Sequence, residues 1–414
     1  MRILRVIATM DPKSGGPCQG IRNSIPEQSK MGVVNEVVCF DEPDKDFIIK
    51  ENAYRINAIG PSRGPYSYCD KYKGWLSRNI HRFDVLIVHG IWLYHSYGTY
   101  LVWAQYKKKF KMAPRLFIMP HGMLDPYFQL APSRRLKAIR NWIFWNLIEN
   151  KVINNADGLL FTCKEELELA RETFNHYKPK RQLNAGYGVP EPPEKNIKTM
   201  WTFLKNCPGL TTNSYWLFLS RIHPKKGIDL LIKAYLKLKK QQKHIPDLVI
   251  AGPGMDTTYG KEMAKLSENS SIHFPGMLKG KAKWAAFHFC DVFILPSHQE
   301  NFGIAVVEAL ACEKPVLITD KINIWQEIEQ GEAGLVSTDT ESGIFDLISR
   351  WEALSEYEKD QMSINAYKLY RQKFSVKNAA RRMMTCVSDN PDIGKKINYR
   401  TVRRQRRTNQ VKIK

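Results

Sequence analysis

Two acids eight positions apart, Glu300 and Glu308, stand in the stretch SHQENFGIAVVEALACEKP, residues 297–315. A short apolar run, DVFILP, precedes it. After Gly303 the apolar residues Ile304, Val306, Val307 and Leu310 recur at helical spacing. The pattern predicts strand, tight loop and helix. Glu300 then lies in the loop, with Asn301-Phe302-Gly303 after it, and Glu308 lies about two turns into the helix. At about 1.5 Å rise per residue the acids are on the order of 12 Å apart, roughly the reach from sugar to ribose in a nucleotide sugar. The amides of Phe302, Gly303 and Ile304 open the helix, where a diphosphate is favoured. A buried helix flanked by surface acids would carry the same spacing.

Cations and histidines stand at similar places. Arg221 and Lys226 lie five apart, between a strand over 216–219 and a helix over 228–238. Both can address one anion, Arg as a planar fork and Lys as a point charge; in so basic a chain they can equally be two surface cations. His89 and His121 each follow a predicted buried strand, 85–88 and 116–119. Ligands of open α/β sheets gather at those carboxyl ends, although a histidine there is also a common hydrogen-bonded turn residue. Gly15-Gly16 follow the first strand and let backbone approach a ligand closely.

The elements that position these residues alternate strand and helix throughout, so each half should be a parallel sheet covered on both faces. A chain of 414 residues suits two domains. The proline-rich turn 190–194, PEPPE, marks the boundary. The expected division is 1–195, 196–365, a helix over 366–390 at the end of a long helical pattern from Lys359, and a basic, disordered tail over 391–414.

Composition narrows the function. No apolar run approaches a membrane span, and MRILRVIATM reads as a first strand, not a signal peptide. The eight cysteines form no C-x-x-C pair, which argues against zinc and redox chemistry and for a reducing, cytoplasmic setting. G-x-G-x-x-G is missing after the first strand, which argues against a nicotinamide enzyme. Asp44-Lys45-Asp46 spells D-x-D but lies in a polar loop and reads as solvated surface. The net charge of +22 implies an anionic partner: a nucleotide, a membrane surface or nucleic acid. Zinc, RNP and helix-turn-helix signals are absent, which argues against nucleic acid. The helix predicted over 134–153 sets Arg134, Arg135, Lys137 and Arg140 beside Trp142, Phe144 and Trp145. The segment 101–112 sets Lys107-Lys108-Lys109 beside Trp103 and Tyr106. Such mixtures suit the inner face of an anionic membrane, and they equally suit domain helices that pack their tryptophans inward.

E-x7-E with F-G after the first acid, followed by E-A-x-A-C-x-K-P-V, resembles the donor motif of the retaining glycosyltransferases of family 4 (glycosyl transferases group 1). Upstream, R-x4-K-G at Arg221–Gly227 resembles the diphosphate site of that family, and GEAGL at 331–335 its G-x-x-G-L. The likeness covers roughly residues 1–390, specific in the second half and loose in the first. It implies a GT-B fold, two Rossmann-like domains facing across a cleft, with the last helix crossing back to the first domain. It implies that Gly16 borders the cleft, that Gly252 and Met277 lie in turns around the nucleotide, and that His121 contacts the sugar, with His89 on the acceptor side. The family usually has Asn-Gly at the interdomain turn, where this chain has Tyr187-Gly188.

The reading is a retaining hexosyltransferase with a UDP- or GDP-linked donor and a glycan or polyprenyl-linked acceptor, in surface polysaccharide assembly. Glu300 accepts hydrogen bonds from the sugar beside the oxocarbenium-like carbon, and Glu308 binds the ribose. Arg221, Lys226 and the amides near Gly303 stabilise the departing diphosphate without a metal or cofactor. The rivals are an epimerase or phosphorylase of the same fold, a non-catalytic sugar-nucleotide binder, and a nucleic-acid-binding protein.

Overall fold

A computed structural model describes residues 1–388 apart from 52, 132–133, 211–213 and 243. The tail expected over 391–414, and the last two residues of the helix expected to 390, lie outside the described residues.

The first sheet contains β1 (Arg2–Val6), β2 (Val34–Cys39), β3 (Arg55–Ala58), β4 (Val85–His89), β5 (Arg115–Met119), β6 (Gly158–Phe161) and β7 (Gln182–Asn184). Its order is β3-β2-β1-β4-β5-β6-β7, parallel throughout. The second contains β8 (Tyr215–Leu219), β9 (Asp247–Ala251), β10 (Ile272–Gly276), β11 (Val292–Leu295), β12 (Val316–Thr319) and β13 (Gly334–Ser337). Its order is β10-β9-β8-β11-β12-β13, also parallel. The central strands are apolar runs buried on both faces, as in VLIVH and VFIL, because helices cover each sheet twice. Strand order reverses between β1 and β4 and again between β8 and β11, which opens a crevice at the carboxyl end of each pair.

Two long helical patterns are interrupted. The segment expected as one helix over 134–153 is a helix Arg135–Phe144, a π-helical turn Trp145–Glu149 and a helix Asn150–Asn155. The turn lets Trp145 and Glu149 both face inward. The Trp145 indole donates to the Asn175 carbonyl at 2.8 Å, and the Glu149 carboxylate accepts from the Trp92 amide at 2.9 Å and the Ser96 hydroxyl at 3.0 Å. The pattern from Lys359 is likewise a helix Glu356–Leu369, a π-helical turn Tyr370–Phe374, an extended Ser375 and a helix Val376–Val387.

Ser375 is where the chain returns to the first sheet. The outgoing crossing runs beside it: the Val189 amide donates to the Phe374 carbonyl at 2.9 Å, and the Tyr370 hydroxyl to the Val189 carbonyl at 3.0 Å. Up to Phe374 the helical residues belong to the core of the second sheet. Beyond it, Met383, Met384 and Val387 join Ile3, Val85, Ile87 and Phe117 in a core under the first sheet.

Candidate active site

The loop after β8 turns at Gly227, whose φ is 64°. A Cβ there would meet the Pro296 carbonyl oxygen at 2.0 Å, so only glycine lets this loop lie against the end of β11. The approach brings Lys226 to Glu300. Lys226 is buried, and its ammonium donates to the Glu300 carboxylate, which stays about one-quarter exposed at 26%. Glu300 is held from behind by its backbone: its amide donates to the Lys321 carbonyl at 2.9 Å and its carbonyl accepts from the Asn323 amide at 3.0 Å. Arg221 is exposed at the start of the same loop. Gly252 supports that loop from β9, since a Cβ on it would lie 1.7 Å from the Ser220 carbonyl oxygen. Met277 stands in the exposed turn after β10.

Gly303, with φ 69°, caps the helix Ile304–Ala311. Among the described residues the amides of Gly303, Ile304 and Ala305 meet no hydrogen-bond acceptor, as the first turn of a helix dictates, and neither does that of Phe302 just before the cap. Glu308 lies one turn into this helix, not two, because the loop runs as far as Gly303. It is 8% exposed and accepts from the Lys283 ammonium at 2.6 Å. Burial pushes its carboxyl above the usual range, and Lys283 opposes that rise. The side chain of Phe302 is packed between Tyr187 (centroids 4.9 Å) and Phe374 (5.7 Å).

The first domain meets these residues with the carboxyl ends of its own strands. Gly16, at the start of the helix Gly16–Lys30, lies against Ile304: a Cβ on Gly16 would be 3.7 Å from Ile304 Cδ1. The Tyr187 hydroxyl donates to the Gly16 carbonyl at 2.7 Å. The Tyr187-Gly188 turn thus binds the glycine loop and Phe302 together. His121, with φ 55°, follows β5, and Gly122 next to it has φ 80°. The Glu166 carboxylate fixes this turn, accepting from the Gly122 amide at 2.5 Å and the Thr162 amide at 2.7 Å. Asn301 crosses to it. Its side chain donates to Thr162 Oγ1 at 3.1 Å and lies against Gly122, where a Cβ would come within 2.7 Å. Asn301 is therefore a bridge between domains. Gln299 donates to Asp125 at 2.7 Å, both buried, and Lys225 lies 5.2 Å from the ring centres of Tyr127 and Phe128. Burial there holds the Lys225 ammonium down to about 8.

His121 Nε2 lies 3.0 Å from His89 Nδ1, and His89 Nε2 lies 3.1 Å from Arg5 Nη1. Burial, with the Arg5 cation second, holds the His121 imidazolium down to about 3, so His121 is neutral at pH 7. His89 stands behind His121, buried at 4% exposed, and not on an open acceptor face.

The residues singled out in sequence thus gather at one place: His121 and Gly16 from the first domain, Lys226, Glu300, Asn301, Gly303 and Ile304 from the second, with Glu308 one turn deeper and Arg221 at the rim. Four residues here carried no local signal. Lys283 is 25 positions from Glu308, Arg5 84 from His89, Asp125 174 from Gln299, and Glu166 44 from Gly122. Chemically the site offers one partly exposed carboxylate neutralised by lysine, a row of helix-opening amides, an exposed guanidinium and a neutral imidazole.

Residues 206–369 match the family model described as glycosyl transferases group 1. The chain is similar to a lipopolysaccharide 1,2-N-acetylglucosaminetransferase of Salmonella typhimurium, 29% identical over 40% of this chain and 46% of that one. It is similar over a longer span to an alpha-monoglucosyldiacylglycerol synthase of Streptococcus pneumoniae, 26% identical over 77% of this chain and 70% of that one. The chain spans less than half the length of the first relatives it matches. Among solved structures it resembles Anabaena HepE in complex with UDP-glucose, with TM-score 0.67 and 16% identity over 94% of this chain and all of that one.

Proposed function

We propose that this chain, whose second domain carries the group 1 glycosyltransferase pattern within a GT-B fold, is a retaining hexosyltransferase using a nucleotide-diphosphate sugar. The observation that carries the reading is the convergence of Lys226, Glu300 and the unpartnered amides of residues 302–305 on the Gly16 and His121 side of the other domain. As the bond from the anomeric carbon to phosphate breaks, the sugar becomes cationic and the diphosphate gains charge. Lys226, Arg221 and the amides stabilise the growing phosphate charge, and this set supports a donor site that works without a metal ion. Glu300 accepts hydrogen bonds from sugar hydroxyls beside the oxocarbenium-like carbon. Glu308 receives the ribose hydroxyls, and Met277 and Gly252 border the base. His121 donates to the sugar from across the cleft. The acceptor hydroxyl attacks from the face that the diphosphate leaves, and the departing phosphate takes its proton.

The donor is UDP- or GDP-linked, and a relative bound to UDP-glucose supports the former. The acceptor is a glycan or lipid-linked glycan of surface polysaccharide assembly, a reading supported by one relative named as a lipopolysaccharide N-acetylglucosaminetransferase and another named as the synthase of a glucosyl diacylglycerol. A cytoplasmic enzyme seated on the inner membrane face fits the segment 130–147. Leu130, Leu136, Ile139, Trp142, Ile143 and Leu147 are exposed there, beside exposed Arg135, Lys137 and Arg140. No helix among the described residues is long and apolar enough to cross a membrane.

Calorimetric titration of UDP, GDP and ADP into the wild type and Arg221→Ala, with and without chelator, tests the donor site. Micromolar binding of one diphosphate, retained in chelator and weakened at least tenfold in the variant, is the expected result. Folded protein that binds none of them overturns the reading.

A further inference from the structure

Arg5 lies on β1 under the crevice and is completely buried. Among the described residues it makes no ion pair with a carboxylate. Its partners are neutral: Asn35 Oδ1 at 3.1 Å from Nε, Gln28 Oε1 at 2.9 Å and Met383 Sδ at 3.4 Å from Nη2, and His89 Nε2 at 3.1 Å from Nη1. A guanidinium enclosed without a counter-ion is an expensive arrangement, and burial holds its pKa down to about 10, still charged at neutral pH. Through His89 it is linked to His121 at the crevice.

That route fixes protons. A guanidinium has donors and no acceptor, so His89 Nε2 must accept. The neutral His89 ring then carries its proton on Nδ1, and Nδ1 faces His121 Nε2 at 3.0 Å. His121 Nε2 must in turn accept, which leaves its proton on Nδ1. An imidazolium at His121 would donate from both nitrogens. His89 would then have to turn its own N–H against an Arg5 N–H. The other groups around the pair do not alter this order. His95 Nε2 lies 2.9 Å from the His89 carbonyl oxygen, which can only accept, and Glu166 binds the amide of Gly122 and not the ring. His121 Nδ1 has no partner among the described residues.

We propose that Arg5 is a positioning residue that, acting through His89, holds His121 as the neutral tautomer with its proton on Nδ1. His121 thereby presents a single, oriented hydrogen-bond donor to the site. Such a donor suits a neutral hydroxyl oxygen, and it adds no positive charge next to a sugar that is itself becoming cationic. That the hydroxyl belongs to the transferred sugar rests on the reaction proposed above; the tautomer does not.

Long-range 1H–15N correlation spectra of the full chain labelled at histidine test the relay, with His121 assigned by the signal lost in His121→Asn. The expected spectrum has a protonated Nδ1 and an unprotonated Nε2 at His121, unchanged from about pH 8 to about pH 5. In Arg5→Met the two tautomers should mix and kcat fall roughly tenfold to a hundredfold at unchanged donor KM, while Arg5→Lys, which keeps a donor, should restore most of both. A wild-type His121 protonated on Nε2, or charged at about pH 6, overturns the proposal, and the wild-type spectrum decides this even if both Arg5 variants fail to fold. An Arg5→Met protein with an unchanged His121 spectrum overturns the part given to Arg5. Loss of transfer in His121→Asn alone bears on the reaction and leaves the relay standing.

Discussion

Glu300 has its carboxylate tied to Lys226 and its backbone tied to residues 321–323, so its side chain is fixed before any substrate arrives. A carboxylate paired with lysine in this way is a hydrogen-bond acceptor held in one place. Glu300→Gln should lower kcat by about a hundredfold or more while changing nucleotide-diphosphate affinity by less than about threefold. An equal loss of both, measured by donor turnover and calorimetry, would reduce Glu300 to a support for Lys226. Glu308 makes a different prediction. Its carboxyl is raised by burial and restrained by Lys283. In Lys283→Met that restraint goes, and the folded protein holds the Glu308 proton more tightly than the unfolded chain does. The folded state then binds more protons over the window above the ordinary carboxylate pKa, so stability falls as pH rises. The unfolding free energy of Lys283→Met, measured by denaturant titration, should trail the wild type more at pH 8 than at pH 5, by roughly 1–3 kcal/mol at the higher pH. Glu300, Lys226 and Glu308 were legible in sequence because each sits in a short run that also sets its local geometry. Their controllers, Lys283, Arg5 and Glu166, were not, because folding alone brings them there.

At the level of elements, the loops rather than the helices set the site. Gly227 and Gly252 let three strand ends close on one another, and each leaves no room for a Cβ. Gly227→Ala combines a left-handed φ with a backbone clash and should destabilise the protein by roughly 2–4 kcal/mol. Nucleotide affinity should fall with it, because Lys226 is the adjacent residue; melting and calorimetry on the same sample check both. Strands such as VLIVH, RLFIM and VFIL were readable because burial on both faces leaves an unbroken apolar run. β3, whose four residues read RINA, gave no such run, since it is the half-exposed edge of the first sheet. The two π-helical turns were hidden for the opposite reason. Apolar residues recur at helical spacing on both sides of them, so periodicity runs straight through, and the inward-facing Glu149 of the first turn gives no local sign of its burial.

For the whole molecule, the basic and apolar face at 130–147 is tied to the cleft by one continuous segment. His121 and Asp125 lie in the loop before it, and Tyr127 and Phe128 meet Lys225 of the other domain. Docking of that face on a membrane would bring the rim of the crevice to the lipid surface. The full chain should float with vesicles containing about 30 mol% phosphatidylglycerol and not with neutral ones, and Leu136→Gln with Ile143→Gln should weaken this at least tenfold. Binding unchanged in that double variant would move the contact to another surface. The sequence suggested this segment but left open whether its tryptophans point in or out. The structure divides them, with Trp145 stacked on Phe174 at 4.6 Å and Trp142 exposed.

The return of the chain at Ser375 also orders events in time. Met383, Met384 and Val387 complete the core beneath the first sheet, and Met383 is also a partner of Arg5. On a ribosome the first sheet is made early, yet this last wall of its core emerges only after the whole second domain. Until then Arg5 lacks its Met383 partner, and the core beneath the first sheet lacks the wall that Met383, Met384 and Val387 supply.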